Sequence, residues 1–233
     1  MKVVVLTGAG ISAESGVATF RDAGGLWEGH DVMQVASPEG FEADPGLVLR
    51  FYDLRRAQLD QVEPNPAHLA LGRLEQALGS DLTIVTQNVD DLHERGGAAN
   101  VLHMHGELRS ALCLSCARRF TWNGTLVDHP RCPGCERKAL RPDIVWFGEM
   151  PYHMDEILHA LSEADVFCAI GTSSQVYPAA AFVDWAQQQG ARTVELNLEQ
   201  TGASATFDDS RQGPASRLVP QWVDELISAV RTD

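Results

Sequence analysis

Four of the five cysteines form two C-x-x-C pairs, Cys113 with Cys116 and Cys132 with Cys135. Fifteen residues separate the two pairs, and this spacing is typical of four-thiolate zinc sites. Four thiolates fill the tetrahedral shell of Zn²⁺ and leave no position for water, so the pattern predicts a structural zinc rather than a catalytic one. A nucleic-acid-binding zinc ribbon is the alternative for this basic segment.

A glycine-rich turn follows the first apolar run. Val3–Thr7 leads into Gly8-Ala9-Gly10-Ile11-Ser12-Ala13, a G-x-G-x-x-A pattern. In dinucleotide-binding proteins such glycines let a phosphate approach free N–H groups at a helix start. A plain strand-to-helix turn fits the pattern too, because Asp22, at about the spacing of the usual acidic residue, lies in a predicted loop. Asn197 with Glu199, after a later strand, is a better candidate for holding a ribose.

Polar groups also follow the apolar run Leu82–Thr86. Gln87, Asn88 and Asp90 come at its end, and in an open α/β sheet ligands bind at the carboxyl ends of strands. These side chains could hold an amide, a ribose or a water, or they could cap a helix start.

Two histidines, His103 and His105, lie on one side of the chain if the segment is extended. A metal pair would need a third ligand, and none accompanies them. An imidazole, with an ordinary pKa of about 6.5, suits a general base, but a lone histidine is more often a packed or capping residue.

Strands alternating with helices must position these groups. Apolar β-branched runs predict strands at Val3–Thr7, Leu82–Thr86, Val166–Gly171 and Thr193–Leu198, and helical periodicity predicts helices at Pro66–Leu78, Glu156–Leu161, Ala179–Gln189 and Val219–Val230. This alternation favours a doubly wound α/β fold with a mostly parallel sheet covered on both faces. Asp22–Gly46 predicts a long loop and Cys113–Cys135 a small insert, while Cys168 is expected in the core.

Composition narrows the class of protein. The chain has 233 residues, 44% hydrophobic and 21% charged, which is ordinary for a globular protein. A formal net charge of −14 argues against a general nucleic-acid binder, since phosphate contacts need clustered Lys and Arg, although it could favour lysine-bearing partners. No secretory leader or membrane span is visible, so metal-bound cysteines in the cytoplasm are expected rather than disulfides.

Seven blocks in order, spanning nearly the whole chain, resemble the sirtuin family. They are Gly8–Arg21 (GAGISAESGVATFR), Gln87–Asp90, His105–Gly106, the four cysteines, Val145–Glu149 (VWFGE), Gly171–Ser173 and Asn197–Glu199. The resemblance implies a Rossmann-like large domain (about 1–25, 75–108 and 140–233), a helical and loop part of a small domain (about 26–74) and an inserted zinc module (about 109–139).

The activity implied by this resemblance is NAD-dependent deacylation of lysine side chains on proteins or peptides. NAD is consumed as a co-substrate: nicotinamide leaves, the acyl oxygen attacks C1′ of the ribose, and O-acyl-ADP-ribose and the free amine are released. The resemblance makes His105 the general base, with Gln87, Asn88 and Asp90 beside it at the nicotinamide and its ribose. Zn²⁺ is structural, and neither a membrane nor a nucleic acid is an expected partner.

The resemblance also places the binding residues. Expected NAD contacts are Gly8, Ala9, Gly10, Ile11, Ser12, Glu14, Phe20, Arg21, Trp27, Gln87, Asn88, Val89, Asp90, Gly171, Thr172, Ser173, Asn197, Leu198, Glu199 and Ala215. Phe20 and Arg21 are expected to close over the site and keep it dry. The substrate backbone is expected along Val145, Phe147, Gly148 and Glu149, since extended peptides pair with exposed strand edges; the alternative is that this block is core.

Tyr52 and Arg55 are neighbours on one face of a predicted helix, three residues apart. By pattern alone this is most often a solvated face. The pair resembles that of sirtuins that favour acidic acyl groups, because a guanidinium binds a carboxylate bidentately and a phenol adds a donor. We therefore predict removal of succinyl and malonyl groups together with some deacetylation.

Two other functions use the same motifs. An ADP-ribosyltransferase would share the NAD pocket, and a non-catalytic NAD or ADP-ribose sensor would keep the pocket and the zinc module. The presence of the acyl-lysine residues argues against the transferase, and the presence of His105, Asn88 and Asp90 argues against the sensor.

Overall fold

The computed structural model describes residues 1–17, 26–27, 29–173 and 175–230. Its elements in chain order are β1 (Val3–Thr7), α1 (Ala9–Ala13), β2 (Leu26–Trp27), β3 (His30–Asp31), α2 (Val32–Val35), α3 (Pro38–Ala43), α4 (Pro45–Gln58), α5 (Pro66–Leu78), β4 (Leu82–Thr86), α6 (Leu92–Arg95), β5 (Val101–His103), β6 (Gly106–Cys113), β7 (Arg119–Thr121), β8 (Leu140–Ile144), α7 (Met154–Ser162), β9 (Val166–Ile170), α8 (Phe182–Gln188), β10 (Arg192–Asn197), β11 (Asp209–Gln212) and α9 (Ala215–Val230).

A six-stranded parallel sheet forms the large domain, with strand order β11-β10-β9-β1-β4-β5. Counted from the β5 edge, this is the doubly wound order in which the chain reverses direction beside its first strand. The reversal lies between β1 and β9, whose carboxyl ends separate into a crevice. The predicted α/β fold is confirmed.

Both faces of this sheet are covered, because alternate residues of each strand point to opposite sides. Val3 and Val5 of β1 pack in one core with α5 and α9, whereas Val4 and Leu6 pack in another with α7 and α8. β1 is consequently apolar throughout and buried at every position, as a central parallel strand requires.

A second, antiparallel sheet of β7, β6 and β8 carries the four cysteines. Helix α4 packs across it through Leu49, which contacts a small core that includes Cys113, Cys132 and Leu126. The predicted insert between Cys113 and Cys135 is therefore a compact unit that rests on α4.

The prediction of a long loop over Asp22–Gly46 is wrong for its second half. Residues 30–46 include α2 and α3, which are too short to show a periodic pattern. Asp31 and Ser37 start these helices by accepting hydrogen bonds from the N–H groups of Met33 (2.9 Å) and Gly40 (3.0 Å), and such caps satisfy otherwise unpaired donors. None of the helices that the structure describes combines the length and apolarity needed to cross a bilayer.

Candidate active site

A cleft of about 840 Å³ opens where β1, β4 and β9 end and the loop after β8 faces them. Strand ends at the reversal point of a doubly wound sheet are where ligands are expected. Residues predicted to contact NAD or substrate that line it are Gly8, Ala9, Gly10, Ser12, Glu14, Tyr52, Gln87, Asn88, Val89, Asp90, His105, Val145, Phe147, Gly148, Glu149, Gly171, Thr172, Ser173, Asn197, Leu198 and Ala215.

The glycine turn after β1 lies against the end of β9. A Cβ on Gly8 or Gly10 would come within 2.8 Å of the Gly171 backbone, and Gly171 itself has a left-handed φ of +60°. The N–H of Gly10 donates to the Gly171 carbonyl at 2.8 Å, and that of Ile11 donates to Gly8 at 3.1 Å. The N–H groups of Gly10 and Ile11 are thus used within the fold, and the glycines allow a close approach between two loops. The predicted contact between this turn and a phosphate stays a prediction.

Thr172 connects the two halves of the crevice. Its hydroxyl accepts a hydrogen bond from the Gln87 amide at 3.0 Å, and its carbonyl accepts one from the Asn197 amide at 2.7 Å. Side chains from the ends of β4, β9 and β10 are thereby held in one row along the cleft.

Asn88 and Asp90 are buried at the base of the cleft. The Asn88 amide donates to the Gly8 carbonyl at 3.1 Å and to the Ser12 hydroxyl at 3.2 Å. Burial raises the pKa of the Asp90 carboxyl, while bonds from Leu92 and Ser12 oppose that rise. The Leu92 N–H lies 3.2 Å from Asp90 Oδ1, so Asp90 both faces the cleft and satisfies a donor at the start of α6.

His105 lines the cleft with a defined tautomer. Its Nδ1 lies 3.0 Å from the Gln87 carbonyl oxygen, and a carbonyl only accepts, so Nδ1 carries the proton. In the neutral ring Nε2 is then the basic nitrogen. Burial lowers the pKa of His105 more than the Gln87 contact raises it, which keeps the ring neutral and able to accept a proton near pH 7.

His103 has a different environment, two residues earlier. It is buried, with Nε2 2.8 Å from Glu94 and Nδ1 3.2 Å from the Asn88 carbonyl. Burial alone would lower its pKa, but the Glu94 carboxylate outweighs burial and raises it. Two acceptors on one ring require both nitrogens to be protonated, so His103 is a charged structural residue. Among the described residues neither histidine belongs to a group able to hold a metal.

The loop after β8 forms the opposite wall of the cleft. Val145 donates through its N–H to the His105 carbonyl at 2.9 Å, which joins this loop to the His105 segment. Trp146 is buried core, whereas Phe147 is 42% exposed and Gly148 has a φ of +90°. Trp146 therefore fits the core interpretation, while binding of the substrate backbone by Phe147 and Gly148, which line the cleft, stays a prediction.

Tyr52 and Arg55 lie on one side of α4, and neither is on a solvated face. Tyr52 is fully buried at the cleft, and its phenol oxygen accepts a hydrogen bond from Trp146 Nε1 at 3.0 Å. Arg55 lines an adjoining cavity of about 40 Å³ together with Val89 and Asp90, which also line the main cleft. The two spaces therefore share a wall.

Not all residues predicted to contact NAD are seen to line the cleft. Ile11 is completely buried in the core beneath the glycine turn, and Glu199 is exposed and does not line the cleft. Phe20 and Arg21 lie outside the described residues, and only the backbone of Trp27, in β2, is described. Ile11 lies in α1, which directs it into the core, and Glu199 follows the cleft-lining Leu198 with its own side chain exposed.

Several lining residues were missed by the sequence analysis. Gln175, Val176 and Tyr177 extend the loop after β9 along the cleft, and Pro151 and Ala36 complete the wall near Phe147. Proximity to Gly171–Ser173 was the available signal for the first three. Ala36 comes from the segment predicted as loop and had no signal of its own.

The four cysteines form the one group among the described residues that could hold a metal ion. Their sulfur atoms all lie within 4.8 Å of one another, with Cys113 and Cys135 at 3.6 Å and Cys116 and Cys132 at 3.7 Å. Tetrahedral zinc with Zn–S bonds of about 2.3 Å requires sulfur atoms about 3.8 Å apart. The donor set fits a structural zinc with a complete shell, far from any water-activating role.

Comparisons with known proteins agree with this geometry. Residues 8–178 match the Sir2 family. The chain is 55% identical over 232 residues to a protein of Salmonella typhimurium named NAD-dependent protein deacylase, covering 98% of this chain and 85% of that protein.

Two solved structures are similar throughout. A mutant Sir2 homologue in complex with ADP-ribose is 37% identical with a TM-score of 0.91, covering 100% of this chain and 94% of that one. A Sir2 homologue in complex with NAD is 39% identical with a TM-score of 0.86, covering 99% and 90%. Both likenesses extend over the sheet, the cleft and the cysteine module.

Proposed function

The chain belongs to the Sir2 family, the sirtuins, and we propose from its cleft how it acts as an NAD-dependent protein deacylase. The observation that carries the proposal is the tautomer of His105. Nδ1–H donates a hydrogen bond to the Gln87 carbonyl at 3.0 Å, which leaves a basic Nε2 in a cleft that also presents Gln87, Asn88 and Asp90. Such a nitrogen can remove a proton from a ribose hydroxyl.

The proposed reaction needs no oxidant, because each bond that breaks is matched by a bond that forms. Nicotinamide leaves C1′ of the ribose with the electrons of the glycosidic bond, and the acyl oxygen of the modified lysine forms the new bond to C1′. His105 removes the proton of the ribose hydroxyl that attacks the acyl carbon. Water then completes the release of the lysine amine and of O-acyl-ADP-ribose.

The remaining residues bind and orient. Asn88 and Asp90, held at the end of β4, are assigned to the nicotinamide and its ribose, and Asn197 with Thr172 to the other half of the dinucleotide. Phe147 and Gly148 are assigned to the substrate backbone, because their segment is exposed along one wall of the cleft. Zn²⁺, held by the cysteines, would stabilise the module that supports α4 and takes no part in the chemistry.

One assay separates this activity from its rivals. The protein is incubated with NAD and acetyl-, succinyl- or malonyl-lysine peptides, and nicotinamide and O-acyl-ADP-ribose are measured. Both products in equal amounts are expected. Transfer of labelled ADP-ribose to protein without peptide deacylation would indicate a transferase, and absence of nicotinamide release would indicate a sensor.

We further propose a preference for acyl groups that end in a carboxylate. Arg55 supplies a positive charge in the cavity that adjoins the cleft, and Tyr52 supplies a phenol at the cleft itself. A buried carboxylate needs paired, charge-assisted hydrogen bonds. Succinyl and malonyl chains provide that carboxylate, and acetyl does not.

Tyr52→Phe combined with Arg55→Met tests this preference. We expect kcat/KM for succinyl-lysine peptide to fall by about tenfold to a hundredfold, the worth of hydrogen bonds to a charged group, with a change below about threefold for acetyl-lysine. Arg50→Met, an exposed substitution on the same helix, is the matched control and should change neither. An unchanged ratio of succinyl to acetyl turnover in the double variant would reject the preference.

The proposal extends to partners and location. Acylated-lysine proteins or peptides and NAD are the partners, and a direct nucleic-acid partner is disfavoured by the formal net charge of −14. A cytoplasmic location follows from four thiols kept reduced for a metal.

A further inference from the structure

Asn88 is held through its main-chain N–H and carbonyl and through its side-chain amide nitrogen. Its N–H donates to the Thr86 hydroxyl at 3.0 Å, its carbonyl accepts from His103 at 3.2 Å, and its amide donates to Ser12 and to the Gly8 carbonyl. Three of these contacts lead to buried histidines. His103 makes one of them directly. His68 contacts the Ser12 hydroxyl, and His93 contacts the Thr7 hydroxyl, which is bonded to Thr86.

The bonds around His68 determine its tautomer. The backbone N–H of Asn65 donates to His68 Nδ1 at 3.3 Å, as part of the capping box that begins α5. Nδ1 is therefore the acceptor, and Nε2, 3.4 Å from the Ser12 hydroxyl, carries the proton and donates. Ser12 Oγ then receives donors from His68 and Asn88, so its own hydrogen is directed to the Asp90 carboxylate, whose pKa that bond lowers.

His93 reaches Asn88 along a second route. Thr7 donates its hydroxyl hydrogen to Thr86 Oγ1 at 2.8 Å. Since that hydrogen is used, the contact of 2.9 Å between Thr7 Oγ1 and His93 Nε2 requires His93 Nε2 to be the donor. His93 Nδ1 then has no proton, in agreement with its lack of any partner among the described residues.

Close helix packing keeps the two rings together. The His68 and His93 ring centroids are 5.1 Å apart in an edge-on arrangement. A Cβ on Gly72 of α5 would overlap the carbonyl oxygen of Gly96, the residue that ends α6, and a Cβ on Gly96 would lie 2.9 Å from His68. Only glycines at these positions let α5 and α6 approach so closely.

Charges around the pair favour uncharged rings. Burial lowers the pKa of His68 to about 4 and that of His93 well below its ordinary value, with His68 and His103 adding to the second effect. The groups that face them are each other, the His103 imidazolium with its Glu94 partner, and neutral hydroxyls. Asp90 faces Ser12, His103 and Asp91.

We propose that His68 and His93 are positioning residues of the NAD reaction: as neutral Nε2–H tautomers they donate to Ser12 and Thr7, and through these hydroxyls they fix the orientation of Asn88 and Asp90. Neither histidine contacts the substrate. This inference rests on the proposed function, because Asn88 and Asp90 act on the nicotinamide and its ribose there.

Two substitutions at His68 separate its two hydrogen bonds. The amide of Asn replaces Nδ1, so His68→Asn retains an acceptor for the Asn65 N–H and loses the donor to Ser12. The amide of Gln replaces Nε2, so His68→Gln retains the donor to Ser12 and loses the acceptor for Asn65. We expect His68→Asn to melt no lower than His68→Gln and yet to have the lower kcat/KM for NAD, by about tenfold, since misplaced binding groups cost up to about a hundredfold.

The KM for the acyl peptide should stay within about twofold in both variants, because the peptide lies on the opposite wall. His68→Gln should retain NAD kinetics within about threefold and lose a few degrees of Tm, as expected for a weakened helix cap. Kinetics that follow thermal stability in both variants, or full NAD kinetics in His68→Asn, would reject the positioning role.

The tautomers can be read in the wild-type protein even if a variant does not fold. Nitrogen-15 spectra of the histidine rings should show His68 and His93 protonated at Nε2 only, with shifts constant from pH 5.5 to 8. A proton on Nδ1 of His68 would overturn the inference. Absence of nicotinamide release by wild type would instead reject the proposed function, whereas an active wild type with an unaffected His68→Asn variant rejects the positioning role alone.

Discussion

The hydrogen-bond partners of each ring determine the protonation of the histidines near the cleft. The Gln87 carbonyl accepts the Nδ1 proton of His105 and leaves Nε2 basic, whereas the Asn88 carbonyl and the Glu94 carboxylate together hold both nitrogens of His103 protonated. Two residues apart, one ring is a base and the other a fixed charge. His103 ends β5 and His105 follows two residues later, so the difference arises from the groups that surround each ring.

At the residue scale, His105→Ala should lower kcat by about a hundredfold to ten-thousandfold, the usual worth of a positioned general base. In the pH–rate profile of wild type, the fall in rate at low pH (the acid limb) reports the protonation of His105. Burial lowers the pKa of His105 below about 6.5, so the neutral base is present at pH 7. Activity should therefore fall only as the pH drops below about 6.5. Initial rates of nicotinamide release between pH 5 and 8 measure both effects.

His159→Ala is the matched control, because His159 is an exposed histidine on α7 with a 74% exposed side chain. It should retain wild-type rates and the same acid limb. A His105→Ala enzyme with full turnover, or a wild-type limb centred above pH 7, would contradict the role given to His105.

At the element scale, α4 joins the acyl-binding residues to the cysteine module. Asp53, between Tyr52 and Arg55, accepts hydrogen bonds from the backbone N–H groups of Leu126 (2.8 Å) and Val127 (3.0 Å). It also pairs with the buried Arg56 at 2.6 Å. One carboxylate thus fixes the helix to the loop that the cysteines support.

Asp53→Ala should therefore destabilise the protein strongly. The substitution leaves Arg56, whose side chain is 3% exposed, without its carboxylate, and removing one partner of a buried pair costs about 3–5 kcal/mol. Urea unfolding of zinc-loaded protein measures the change in the free energy of unfolding.

The comparison variant is Asp60→Ala, which breaks an exposed pair with Arg109 in which Asp60 is 70% exposed. Its cost should stay below about 1 kcal/mol. Equal losses in the free energy of unfolding of the two variants would show that Asp53 contributes no more to stability than a surface charge does.

Elements with a clear apolar pattern were predictable from the sequence, and helices of one to two turns were not. β1, β4 and α5 have the predicted bounds, because their apolar periodicity coincides with burial on the sheet. α2 and α3 depend on caps and on contacts with α4, and a helix of one turn has no period to detect. The glycine turn was recognised, but the bonds of its Gly8 and Gly10 N–H groups to the end of β9 are revealed only by the fold.

At the scale of the whole molecule, strand order assembles the site. Residues 8, 88, 105, 171 and 197 are distant in sequence, and the arrangement β5-β4-β1-β9-β10 brings their strand ends to one crevice. Sequence motifs therefore identified most of the lining. They did not identify the polar layer beneath it, because His68 and His93 contact the site only through Ser12 and Thr7 and resemble ordinary helix residues.

The buried histidines His68 and His93 also determine how the stability of the whole protein depends on pH. The unfolded chain protonates its histidines near pH 6.5. His68, with a pKa lowered to about 4, and His93, whose pKa burial lowers well below its ordinary value, remain neutral when folded. Below pH 6.5 the unfolded state therefore binds more protons. Each such histidine then lowers the free energy of unfolding by up to about 1.4 kcal/mol per pH unit.

His103 acts in the opposite direction, since its raised pKa adds stability that is present below pH 6.5 and is lost as the pH rises through its folded value. It therefore does not mask the loss between pH 6.5 and 5. His68→Asn removes one buried imidazole, so its stability should fall less steeply than that of wild type, by up to about 1.4 kcal/mol per pH unit. His159→Asn, at an exposed position, should reproduce the wild-type slope. Urea unfolding at pH 7, 6 and 5 gives the three slopes, and parallel curves for wild type and His68→Asn would mean that His68 is not buried as a neutral ring.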